Sequence, residues 1–295
     1  MKTWGVEGLP SGALRALKAC RAAALLALEP LDWAARAVTG KRDLPPLRLR
    51  RYVGPLRSFE SSGAEFMGYL RLLAGLRPDE RVLDVGCGCG LMALYLKDYL
   101  DERGRYTGLD IHAPSVEWCR RRVTPAHTNF EFARIDVRSD AYNPRGRHAA
   151  EEYVFPFADA SFDAVLLKSV FTHLRPGAAE NYLKEVARLL APGGRALATF
   201  FLLNDRQAAL GREGRNRIEF RYGDGVWRHA YRESPESAVA YREDFVLELL
   251  DRHGLALRRP VFYGSWSGLR EGLSFQDVLL LERAAAPREK SRPDF

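Results

Sequence analysis

The segment Asp84-Val85-Gly86-Cys87-Gly88-Cys89-Gly90 sets three glycines at alternate positions directly after an apolar run, RVLDV at 81–85. Glycine has no Cβ, so such a loop can turn tightly and let its backbone approach a ligand closely. A helical pattern begins at once behind it, and the amide-rich N-terminus of that helix faces the same space. The spacing is Gly-x-Gly-x-Gly, not the Gly-x-Gly-x-x-Gly of pyrophosphate binders, and no Lys-Ser/Thr follows as in a P-loop. Two further acids stand at comparable places. Asp110 lies 24 residues beyond Gly86, after YTGLDI, where a carboxylate can accept both hydrogen bonds of a ribose diol. Asp136, in NFEFARIDV, can accept from an adenine amino group. Any one acid has a plain explanation, because Asp commonly begins loops. Three at successive strand ends beside a glycine loop are harder to explain that way. Asp84 and Asp110 together suit a ligand carrying an ammonium and a sulfonium.

Other residues could act on a second ligand. Lys168 interrupts the apolar run AVLL; it either pairs with a carboxylate of a cofactor or acceptor, or snorkels to solvent. His173, four residues past Ser169, can take a proton near pH 7 as a neutral imidazole, or can simply pack in the helix that follows. Tyr222, Trp227, His229 and Tyr231 lie in a charged, aromatic stretch able to cover an aromatic or apolar acceptor. No Gly-x-Ser-x-Gly elbow occurs, and no His, Asp or Glu cluster has metal-ligand spacing.

These residues need a scaffold, and the apolar pattern describes one. Strand-like runs at 81–85, 106–111, 129–137, 162–170 and 195–203 alternate with helical ones at 91–100, 115–123 and 181–190. Such alternation implies a parallel sheet with helices on both faces, and ligands then sit beyond the carboxyl ends of the strands. A helix at 241–252 precedes strands at 255–263 and 276–282 with no helix between them, which reads as a terminal antiparallel hairpin. Residues 138–154 and 204–236 exceed what the sheet needs and read as long irregular segments of the kind that form lids. Upstream, residues 11–38 read as two helices, with Ser11 capping the first and Pro30 opening the second, and residues 41–58 as a basic, proline-punctuated connector.

The 295 residues are 46% hydrophobic and 28% charged, ordinary globular usage that excludes wholesale disorder and a membrane bundle. Cys20, Cys87, Cys89 and Cys119 show no CxxC spacing, which fits a reducing cytoplasm better than a secreted framework. The run at 22–28 is too short to span a bilayer. The net charge of +7 is concentrated: residues 1–51 carry ten basic and four acidic side chains. Such an end can attract anionic substrates, phospholipid headgroups or RNA, or be a solvated helix surface.

VLDVGCGCG, GLDI, FPFADASFDAVLLKSVFTHL and EVARLLAPGGRALATFF resemble class I S-adenosylmethionine-dependent methyltransferases, strongly over about 80–203 and weakly over 255–282. The resemblance implies a Rossmann-like α/β fold with a mostly parallel seven-stranded sheet, an N-terminal helical cap (1–58), a methyltransferase domain (59–283) and a tail (284–295). It also implies that Asp84, Gly86, Cys87, Gly88 and Gly90 hold the methionine moiety of S-adenosylmethionine. Asp110 would then bind the ribose with Ile111 packing on the adenine, Asp136 and Val137 would meet the adenine edge, and Lys168-Ser169-Val170 would border the methyl group. About 15 residues inserted after Asp136 depart from the family pattern and supply a candidate lid. The expected reaction is methylation, of oxygen before nitrogen or carbon, on a small metabolite or natural-product intermediate. His173 is the candidate base, and Tyr52, Tyr222, Trp227 and His229 are candidate acceptor contacts. The alternatives are an RNA or protein methyltransferase docking through the basic end, and a non-catalytic module binding the cofactor or S-adenosylhomocysteine. Asn143-Pro144-Arg145 is not the Asn/Asp-Pro-Pro-aromatic signature of nucleic-acid amino methylation.

Overall fold

Side chains alternate between two faces along each central strand, and each face has its own apolar layer. The computed structural model describes residues 11–284. In chain order the strands are β1 (Arg81–Val85), β2 (Arg105–Asp110), β3 (Phe130–Arg134), β4 (Phe162–Leu167), β5 (Leu190–Phe200), β6 (Leu202–Leu203), β7 (Trp227–His229), β8 (Val239–Arg242), β9 (Leu255–Leu257) and β10 (Asp277–Arg283). The helices are α1 (Ser11–Val38), α2 (Leu47–Arg50), α3 (Phe59–Leu72), α4 (Ala93–Leu96), α5 (Ala113–Arg122), α6 (Pro176–Leu189), α7 (Asp205–Arg212) and α8 (Glu243–Arg252). Seven strands form one sheet in the order β3-β2-β1-β4-β5-β10-β9. The first five run parallel, and β10 lies antiparallel between β5 and β9. This is the mostly parallel sheet with an antiparallel terminal pair that the sequence pattern implies.

Leu83, Val165, Ala196 and Leu279 share one face with Leu183 and Val186 of α6 and Leu249 and Leu250 of α8. Val82, Leu166, Leu197 and Leu280 share the other with Phe66 and Leu70 of α3 and Val116 and Cys119 of α5. Period two in the strands and period 3.6 in the helices thus meet on both sides. Charge is tied in at the amino edge of the sheet. Asp163 accepts from the backbone amide and the guanidinium of Arg81, joining β4 to β1. Arg195 is buried and donates to Glu80 Oε2 at 2.6 Å and to the carbonyls of Ala74 and Asp163.

Several expectations change. Residues 11–38 form one continuous helix with Pro30 inside it, not two. Proline removes one amide donor and crowds the carbonyl four residues back, but Leu26 and Pro30 are both exposed, where water can satisfy that carbonyl. The side chain of Ser11, expected as a cap, lies outside the described residues, as do residues 1–10 and all but Ala284 of the tail. The helix expected over 91–100 contracts to α4, a single turn. Residues 204–236 are irregular only in part: Asn204 caps α7 by accepting from the amides of Arg206 and Gln207, and β7 joins β6 and β8 in a second sheet of order β6-β8-β7, while 213–226 run as turns and coil. Residues 138–154 are held by bridges Val137–His148 and Ser139–Asn143.

The Glu80–Arg195 pair yields a direct test. Removing a carboxylate from a buried pair leaves an uncompensated cation. Glu80→Ala is expected to cost about 3 kcal/mol of stability, read as a lower urea midpoint with an unchanged slope.

Candidate active site

Asp110 ends β2 beneath the glycine loop. Its Oδ2 accepts from the Gly88 amide and its Oδ1 from the His112 amide, each at 2.7 Å. The Gly86 and Cys87 amides both donate to the Leu109 carbonyl. To aim those amides back at β2, Gly86 and Gly88 take φ of +75° and +54°, in the left-handed region that other residues rarely adopt. Space forbids a side chain as well: a Cβ on Gly86 would lie 2.7 Å from Val170, and one on Gly88 2.6 Å from Val53. Burial pushes the Asp110 carboxyl upward, opposed by the amides of His112 and Gly88. Asp84, one strand over and buried, accepts from the Tyr106 hydroxyl at 2.7 Å. Burial pushes its carboxyl up to about 7, with the Asp110 charge adding to the rise and Lys168 opposing it.

The remaining expected residues fall into three groups. Ile111, next to Asp110, is partly exposed and packs on the edge of the core. The side chains of Cys87 and Val137 turn into the core, Cys87 Sγ lying against Gly108 of β2, so these two can meet a ligand only through their backbone. Asp136 is clamped by the insertion: Oδ2 accepts from Arg147 Nε at 2.6 Å, and Oδ1 from Arg134 at 3.2 Å and Asn143 at 3.3 Å. Those partners, Arg147 first, hold its carboxyl below the usual range. Its expected part at the adenine edge therefore competes with two guanidinium groups.

His173 lies in a short 3-10 turn, Phe171–His173, just beyond β4. Its Nδ1 is 2.7 Å from the Glu236 carbonyl, which only accepts, so Nδ1 carries the hydrogen and Nε2 is the acceptor. Nε2 faces the Tyr142 hydroxyl at 3.5 Å. Burial pulls the imidazole pKa down, which keeps the ring neutral at pH 7. Burial, with Asp110 second, pushes the Tyr142 hydroxyl up to about 12, so Tyr142 lies within the field of the Asp110 carboxylate. Tyr142 and Glu236 were not singled out in the sequence; both sit in segments without periodicity.

Lys168 Nζ sits over the Phe66 ring, 5.0 Å from its centroid, and forms no ion pair among the described residues. Burial pulls its pKa down while Asp84 and Glu65 oppose the shift. Ser169 next to it has φ +59°, a strained value for a residue with a Cβ. Its amide donates to Thr199 Oγ1 and its hydroxyl to Gln276 Oε1. The four expected acceptor contacts do not gather. Tyr52 packs tilted against His112 with ring centroids 4.3 Å apart, near Asp110. Tyr222 and Trp227 instead pack against His229 in and beside the second sheet.

Residues 83–198 match a family described as a methyltransferase domain. The chain carries a class I S-adenosylmethionine-dependent methyltransferase domain. Among similar curated proteins, the fatty-acid O-methyltransferase of Mycolicibacterium smegmatis is 33% identical over 163 residues, covering 55% of this chain and 46% of that one. Phthiotriol/phenolphthiotriol dimycocerosates methyltransferase 1 of Mycobacterium ulcerans is 38% identical over 120 residues, covering 41% and 37%. The chain thus spans less than half the length of these relatives. A solved S-adenosylmethionine-dependent methyltransferase from Aquifex aeolicus superposes with a TM-score of 0.51 at 18% identity, covering 81% of this chain and 98% of the other, which speaks to the fold alone. Among the described residues no helix of this methyltransferase chain is long and apolar enough to cross a membrane.

The raised Asp84 carboxyl gives a pH test. Between about 4 and 7 the folded state holds a proton there that the unfolded chain has lost, so this group makes stability fall as pH rises through that window. Asp84→Asn keeps an acceptor for Tyr106 and removes the titration. Urea midpoints should show the variant gaining on wild type from pH 4 to 7, with a constant difference above.

Proposed function

We propose that the protein methylates an oxygen of a small, lipophilic molecule, with S-adenosylmethionine as donor. The observation that carries this reading is the neutral His173 ring just beyond β4, whose acceptor nitrogen Nε2 meets only the Tyr142 hydroxyl, at a long 3.5 Å. The site's donor set fits the cofactor: paired acids for positive groups and a diol, and a loop whose glycines leave its backbone open. Asp110 would hold the ribose hydroxyls, Asp84 the region of the cationic methionine end, and the Gly86–Gly90 backbone would line the path between them. When bound, S-adenosylmethionine supplies a methyl carbon whose bond to sulfur breaks as the acceptor oxygen attacks, the bonding pair leaving with sulfur. Nε2 of His173 takes the proton that the acceptor oxygen loses, while Nδ1–H on Glu236 fixes the tautomer. Tyr142 and the 138–154 insertion exclude water from that position. A lipophilic acceptor is supported by the names of the relatives, a fatty-acid and a phthiotriol methyltransferase.

The basic N-terminus favours this reading over docking on nucleic acid. Arg36 and Arg50 pair with Asp32 and Arg48 with Glu29, tying α2 to α1, while Lys41 pairs with Glu60 and ties the connector to α3, so these cations are engaged within the fold.

Two measurements test the proposal. S-adenosylhomocysteine at 100 times its dissociation constant adds about 2.7 kcal/mol and should raise the unfolding midpoint by several degrees in wild type but not in Asp110→Ala. With radiolabelled donor and a panel of fatty acids and alcohols, His173→Gln should lower kcat by about 10²–10³-fold with KM for the donor unchanged. Product formed on nitrogen or carbon acceptors alone would refute the oxygen assignment.

A further inference from the structure

A cleft with a volume of about 490 Å³ lies between α7 and the loop that leads into β10. That volume is within the range of small-molecule sites. Its position is set by topology. Because β10 is antiparallel, its first residue, Asp277, pairs with Phe200 at the end of β5, so the loop before it stands at the carboxyl edge of the sheet. The same loop reaches the residues beyond β4. The Tyr69 hydroxyl of α3 donates to the Leu273 carbonyl at 2.6 Å, and three residues on, Gln276 accepts from Ser169 Oγ at 2.9 Å. One wall therefore serves both the cleft and the region of Lys168 and Ser169.

The cleft is chemically two-sided. Leu210, Phe262 and Leu269 give it an apolar lining, and Arg206, Arg215 and Arg270 give it cations against one acid, Glu271. Arg215 is engaged, donating to the Gly268 carbonyl and lying 3.3 Å from Glu213. Arg206 and Arg270 are exposed, and among the described residues neither guanidinium has an ion pair or hydrogen bond.

We infer that this cleft binds the far end of an elongated acceptor, with an apolar body and a terminal anionic group, carboxylate or phosphate, between Arg206 and Arg270. The inference rests on the methyltransferase reading for its direction: the reacting oxygen lies toward His173 and the anion toward α7. It adds a second polar point, about which the acceptor's length is read.

Calorimetric titration of the full chain with decyl phosphate, decanoate and decanol, below their aggregation limits, tests it. At least one of the anions should bind at least tenfold more tightly than decanol. The pair Arg206→Glu/Arg270→Glu should lose at least tenfold for that anion, with the unfolding midpoint and S-adenosylhomocysteine affinity unchanged. Arg122→Glu, at the end of α5 and outside the cleft, should bind as wild type. Equal binding of decanol, an unaffected double variant, or an equal loss in Arg122→Glu would overturn the inference. Failure of wild type to bind S-adenosylhomocysteine would instead overturn the cofactor reading, whatever the amphiphiles do.

Discussion

A half-buried carboxylate at a strand end is unfavourable unless donors surround it, and Asp110 meets that demand with two backbone amides. One comes from the glycine loop after β1 and the other from the start of α5. Meeting it forces the loop back over β2, which in turn requires the positive φ at Gly86 and Gly88. The pocket so formed is roofed by residues from distant parts of the chain. Val53 closes on Gly88 from the N-terminal connector and Val170 on Gly86 from beyond β4. The cap, the loop and the region beyond β4 are thus fitted to one another around a single acid, and the polar groups left facing the space are those a ribose-bearing cation can use.

Much of this was legible in the sequence, for a physical reason. Strands 81–85 and 162–167 are buried on both faces and read as continuous apolar runs; the helices behind them carry stripes at period 3.6. The glycine spacing and Asp110 are local features of the chain, and local features survive being read in one dimension. What failed was mostly what depends on a partner far along the chain. Asp136 looked free because Arg147, eleven residues on, sits in a stretch with no period at all. Cys87 and Val137 were assigned by position, while their side-chain direction is set by packing against Gly108 and the 138–154 insertion. Tyr142 and Glu236 bracket His173 from 31 and 63 residues away, and nothing in either segment marks them.

Pro30 and the 204–236 segment show the opposite error, in which a local signal is overruled. Proline usually ends a helix, but here the carbonyl it frees faces water, and Asp32 and Glu29 on either side are fastened to Arg50 and Arg48 of the following segment. Tertiary contacts on both sides of the break keep the helix running through it. In 204–236, charge and glycine suggested a loop, yet Asn204 supplies a cap and the three-residue strand β7 finds its partner in β8. Strands this short carry too few residues to display a period.

The cleft beside α7 is built with the same device as the glycine loop. Asp277, buried at the head of β10, accepts from the Leu202 and Gly264 amides and from the Trp266 indole, and burial pushes its carboxyl up to about 6. Those three donors come from the segment after β5 and from the loop before β10, so one acid fixes both walls beside the cleft. Asp110 and Asp277 stand at the same edge of one sheet but share no loop. Substitutions in 204–236 or 258–276 can therefore reshape the cleft while the glycine loop keeps its geometry. The methyltransferase family match stops at residue 198, just before those segments begin. The matched stretch thus contains Asp110 and its glycine loop, while Asp277 and the walls of the cleft beside α7 lie outside it.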